Sequence, residues 1–133
     1  MNRKLLMISS AIIMGIIGFF LTFMPNETLT FLNQDPTDIL TFILQLMGAL
    51  YFGFAILNWM AKNVLIGGIY AKPLCLGNFV NFLMGALTLI KLAINGSLSA
   101  IYFWILTILY ILFAIAFGFV SLTNPNLKEN PTK

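Results

Sequence analysis

Long, almost uncharged apolar runs alternate with short polar interruptions along this chain. The runs are Leu5–Met24, Ile39–Ala61, Leu74–Ile94 and Ser99–Leu122. A hydrocarbon core of roughly 30 Å is crossed by about 20 apolar residues in a helix, and each run is long enough. Only helices or closed barrels satisfy every backbone N–H and C=O in lipid, and unbroken runs lack the alternation of barrel strands. The pattern therefore predicts an all-α fold: a four-helix transmembrane bundle, antiparallel and up-down-up-down. It forms one integral membrane domain over residues 1–133, with a polar tail at 123–133.

The interruptions carry the expected punctuation. Pro25 cannot continue a helical ladder and ends the first helix. The loop Asn26–Thr37 keeps Leu29, Phe31 and Leu32 among polar residues, as a segment lying partly on the membrane surface would. Asp35-Pro36-Thr37-Asp38 reads as a turn in which Thr37 or Asp38 caps the second helix. The connection Lys62–Lys72 is apolar for a loop, is broken by Gly67–Gly68, and is flanked by Trp59 and Tyr70 as interfacial anchors. Pro73 sits in the first turn of the third helix. Asn95-Gly96-Ser97 is so short a turn that the third and fourth helices must be antiparallel neighbours, and Asn124–Pro125 ends the fourth. Asn26-Glu27-Thr28 and Asn95-Gly96-Ser97 match the glycosylation pattern, which chance explains in loops this close to the membrane.

Charge orients the bundle. Arg3, Lys4, Lys62, Lys72, Lys128 and Lys133 fall on one side of a four-helix count, while Glu27, Asp35 and Asp38 fall on the other, with Lys91 as its only nearby base. The positive-inside rule places both termini in the cytoplasm. A signal peptide is the alternative for the first run, since Arg3 and Lys4 precede it. Its apolar core of about 20 residues exceeds the usual 7–15, and no small-residue cleavage site precedes Pro25, so a retained helix is expected. A net charge of +3 spread over separate segments indicates no nucleic-acid partner. The single Cys75 cannot form an internal disulfide and reads as a bystander thiol.

Helices in lipid associate through close contact of small residues and a few hydrogen bonds. Each run has such a stripe: Ala11, Gly15, Gly18 and Thr22; Gln45, Gly48, Phe52, Ala55 and Trp59; Asn78, Asn81, Gly85 and Thr88; Thr107, Tyr110, Ala114, Gly118 and Ser121. At 100° per residue each set stays within about 80° of arc. The remaining Leu, Ile, Phe and Met positions are expected to face lipid.

Two readings are open for the polar residues. Asn58, Trp59, Asn78 and Asn81 lie at similar depth and could line a ligand pocket, or the amides could be interhelical glue worth about 0.6 kcal/mol per bond. Lys91 lies near the end of its helix, where its stem can snorkel outward; the sharper alternative is an anionic headgroup or substrate site. These five residues form the candidate ligand-binding set. No catalytic residue, metal site or cofactor is indicated. The chain has no His, no carboxylate cluster and no acid inside an apolar run, so it lacks a zinc-binding set, the histidine usual for haem and the buried carboxylate of proton-coupled transporters.

The stretch GALYFGFAILNWMAK at 48–62, followed by GGIYAKP at 67–73 and GNFVN at 77–81, resembles small uncharacterised four-helix membrane proteins of bacteria, and more loosely the DoxX-like group. The resemblance covers the hydrophobic core and implies the four-helix architecture. DoxX-like proteins are linked to membrane redox partnerships, but no residue here would carry redox chemistry alone, so only the architecture is transferred. The expected role is a non-catalytic membrane component that binds a lipid-like ligand or a partner membrane protein, possible homo-oligomers included. The alternative is a small transporter or redox accessory handling a hydrophobic substrate such as a quinone.

Overall fold

The computed structural model describes residues 3–63, 71–95 and 101–122, and every described element is helical: α1 Arg3–Phe23, α2 Pro25–Phe31, α3 Asp38–Ala61, α4 Ala71–Ile94 and α5 Ile101–Leu122. Four of them, all but α2, are long and apolar enough to cross a membrane. The all-α class and the four spans are as expected, and this is a multi-pass membrane protein whose solvent is the bilayer. The expectations at Gly67–Gly68, Tyr70, Gly96, Ser97 and the tail fall outside the described residues.

The first loop holds a helix that the hydropathy pattern did not reveal. Pro25 pushes the residue before it out of helical conformation, and Met24 sits at φ −131°, ψ 50°. The same proline opens α2 at a position where its missing N–H costs nothing. Pro25 therefore both stops one helix and starts the next. A Schellman motif closes α2. Asn33, at φ 56°, takes the left-handed position, Gln34 N donates to Leu29 O at 3.0 Å, and Asn33 N donates to Thr30 O at 3.0 Å. Leu29 is buried, and Thr41 Oγ1 of α3 donates to Asn26 Oδ1 at 2.9 Å. The cap of α3 is Thr37, whose hydroxyl accepts from Leu40 N at 3.3 Å.

The chain divides into two units, Met1–Asn63 and Val64–Lys133, each built on one antiparallel pair of long helices. In the first, α1 and α3 meet along their small residues. A Cβ built on Gly18 would lie 3.0 Å from Gly48 O and 3.0 Å from Phe52 N, and one on Gly15 would lie 3.8 Å from Ala55 Cβ. As α1 rises from Gly15 to Gly18, α3 descends from Ala55 to Gly48, which fixes the antiparallel sense.

The second unit is held differently. Phe82 of α4, fully buried, stacks on Phe113 of α5 with centroids 4.8 Å apart and on Phe117 at 5.8 Å, and meets Tyr110 edge-on at 5.3 Å. Small residues admit the rings. A Cβ on Gly85 would lie 2.6 Å from Tyr110 Cδ1, and one on Gly118 would lie 3.0 Å from Phe79 Cε2.

Two expectations are corrected. Large apolar side chains do not all face lipid: Met7, Met14, Phe82 and Phe117 are fully buried. The small-residue stripes also run out at their ends, for Gln45 and Thr88 are exposed and Trp59 is half-exposed.

Candidate functional site

Asn58 and Trp59 are neighbours in sequence, yet they point to different sides of α3. Asn58 is fully buried in the α1–α3 seam. Its Nδ2 donates to Ser10 Oγ at 3.1 Å and approaches Met14 Sδ at 3.7 Å. Ser10 Oγ in turn donates to Met7 O at 3.0 Å. The chain Asn58–Ser10–Met7 keeps the amide among partners in a medium that offers none. Ser10 was not legible as a partner from hydropathy. Its signal is the antiparallel register, which carries a residue one to two turns before Gly15 to the far end of α3.

Asn58→Leu is expected to weaken the first unit by about 1 kcal/mol, within the range of roughly 0.6–1.7 kcal/mol measured for interhelical bonds in lipid. Ser10 keeps its own bond to Met7 O. Detergent-denaturant titration followed by circular dichroism measures it.

Trp59 turns outward to a groove between α1 and α3. The groove, about 280 Å³, is lined by Ala11, Ile12, Gly15, Phe52, Ala55, Ile56 and Trp59. No lining side chain titrates, and the indole N–H is the only polar group they carry. The groove exists because Ala11, Gly15 and Ala55 leave space between two helices whose axes are drawn together further along by Gly18 and Gly48. At its end Lys62 Nζ sits 3.4 Å over the Trp59 ring, a cation–π contact at the C-terminus of α3, where the helix dipole also favours a cation.

Asn78, Asn81 and Lys91 belong to the second unit. Asn78 is fully buried, one turn before Phe82, and its Nδ2 donates to Leu74 O at 3.0 Å. Asn81 Nδ2 is buried without a hydrogen-bond partner among the described residues. Lys91 is exposed in the last turn of α4. Of the five candidate residues, the structure thus turns Asn58 into the α1–α3 seam and Trp59, about 100° further round the same helix, to the groove beside it, and places the other three on α4.

Chemically, the groove can hold an apolar chain and end it at a cation, and Asn81 can donate to an acceptor brought to it. No protein-family model, curated protein or solved structure matches the chain.

Proposed function

We propose that this is a small, non-catalytic component of a bacterial cytoplasmic membrane, with both termini in the cytoplasm, which holds a lipid-like ligand. The groove between α1 and α3 carries this proposal. Its walls are apolar, and its floor is made of residues too small to fill it. In water such a surface would be a liability; in lipid it is a slot for a chain. The basic residues at Arg3, Lys4 and Lys62 support the orientation through the positive-inside rule.

Native mass spectrometry of the protein, gently extracted from its own membrane, tests the proposal. The expected result is a discrete added mass in the lipid range. Gly15→Leu supplies the control. A Cβ at Gly15 meets only Ala55 Cβ, at an ordinary 3.8 Å, so a larger side chain there grows into the groove and not into backbone. The added mass should vanish while the helical content persists. A bare protein, or an added mass indifferent to Gly15→Leu, refutes the groove as the binding place.

One observation favours a second reading, a carrier or redox accessory for a hydrophobic carbonyl compound such as a quinone. The orphaned donor at Asn81 would be satisfied by a ligand carbonyl. Leaving such a donor unpaired costs about 1–3 kcal/mol. Asn81→Leu is therefore expected to stabilise the ligand-free protein by about 1 kcal/mol, and to abolish retention of a quinone if one is carried. A loss of stability in the ligand-free protein would show that the amide is already bonded.

A further inference from the structure

Both walls of the α1–α3 groove run out into a lysine at the same end. On α1, Lys4 lies within about 20° of Ala11 and Gly15 around the helix, at 100° per residue. On α3, Lys62 lies within about 20° of Ala55 by the same spacing. The antiparallel pairing of Ser10 with Asn58 brings the start of α1 and the end of α3 to one side. Lys62 is already placed, with its ammonium over the indole of Trp59 that closes the groove. We infer that the groove takes an acyl chain of an anionic phospholipid, with the phosphate held at Lys4 and Lys62.

The dimensions fit one leaflet. From Phe52 to Trp59 the α3 wall runs about 10 Å along its axis, inside the roughly 15 Å half-thickness of the hydrocarbon core. The charge of this unit selects the headgroup. Arg3, Lys4 and Lys62 stand at the groove's lysine end, and Glu27, Asp35 and Asp38 stand at or beyond the far ends of the same helices. A zwitterionic headgroup would bring its own ammonium into the basic cluster, whereas a phosphatidylglycerol phosphodiester brings net negative charge. Trp59, half-exposed at the boundary, offers an apolar ring to the chain and its face to the cation. This inference rests on the lipid-ligand proposal above and names the ligand's class.

Trp59 can report the result. The chain holds two tryptophans, so full-length protein carrying Trp104→Phe has Trp59 as its only tryptophan. It is reconstituted in phosphatidylcholine vesicles containing either brominated phosphatidylglycerol or brominated phosphatidylcholine at equal mole fraction, and quenching of Trp59 gives the selectivity. A lysine near a headgroup is worth about fivefold in binding. Preference for the anionic lipid should therefore be severalfold, fall in Lys4→Gln and in Lys62→Gln singly, and approach equality in the double variant. The single variants stand as the test if the double variant inserts poorly.

A selectivity of one in the lysine-bearing protein overturns the inference, which is also the result expected if another helix lies in the groove. A preference that survives both single variants unchanged overturns it as well. The mass-spectrometric experiment separates this failure from that of the parent proposal. A retained neutral lipid sinks the anionic assignment alone, and no retained lipid sinks both.

Discussion

Gly48→Leu should unseat α3 from α1, whereas Gly53→Leu in the same helix should leave the pair intact. A Cβ at Gly48 would run into Thr22 Oγ1, and would lie 2.8 Å from Thr22 N and 3.0 Å from Gly18 O. Two of those three atoms are backbone, which cannot rotate away. Relief requires the helices to separate, and separation forfeits the contacts that hold them, since lipid supplies no hydrophobic drive to re-form them. The loss should reach or exceed the upper end of the roughly 1–3 kcal/mol seen for overpacked cores, because the obstruction is main chain. At Gly53 a Cβ meets nothing within 4 Å, and leucine is a better helix former than glycine by about 0.5–1 kcal/mol. Denaturant titration of both variants in one detergent decides the matter. Equal stability would mean that the close approach at Gly48 does not hold this unit together.

Thr22 adds a detail to that crossing. Its hydroxyl oxygen is buried without a hydrogen-bond partner among the described residues, and it lies against Gly48. A glycine Cα can offer it only a weak C–H···O contact. The position tolerates this because any side chain on Gly48 would be worse.

Phe82→Ala should be the most damaging truncation in the second unit. In water, removing a buried Phe loses both the transfer energy of the ring and the contacts around the void it leaves. In a bilayer the transfer part nearly disappears, because the unfolded reference is also apolar. The void remains. At roughly 24 cal/mol per Å³, a residual cavity of on the order of 100 Å³ costs about 2 kcal/mol. Loss of the stacked contacts to Phe113 and Phe117 and the edge contact to Tyr110 adds to it. Phe119, exposed on α5, supplies the contrast: Phe119→Ala should cost much less. Destabilisation of similar size at both positions would show that burial in this unit does not set its energetics.

These two predictions rest on different kinds of information, and the difference runs through the molecule. The seam of α1 is visible in the chain as Ala11, Gly15, Gly18 and Thr22, because small residues at helical spacing record where another backbone must come close. The stripe Thr107, Tyr110, Ala114 and Gly118 on α5 is likewise buried in the structure. Phe82 left no such record. A phenylalanine facing a partner and one facing lipid sit in media of similar polarity, so no alternation of polar and apolar positions marks which is which. The hydropathy period that separates inside from outside in water is nearly silent here.

The polar residues were half legible. That Asn58 and Asn78 would be turned away from lipid follows from the cost of an unsatisfied amide. That Asn58 meets Ser10 and Met14 while its neighbour Trp59 lines a groove depends on the rotation and register of α3 against α1. The short α2 was hidden for another reason. Its seven residues contain too little apolar surface to show as a segment, and its existence turns on Pro25 and Asn33 acting as local backbone devices.

The order of residues along the chain therefore settled the solvent, the helical class, the number of spans and the small residues at which α1 and α5 are closely approached. Those follow from the length of apolar runs and from side-chain size, which are properties of each residue taken singly. The aromatic core around Phe82, the partner of Asn58 and the groove that ends at Trp59 and Lys62 came only from tertiary structure. Each depends on how two surfaces of nearly equal apolarity are rotated against each other, and in lipid steric fit chooses that rotation.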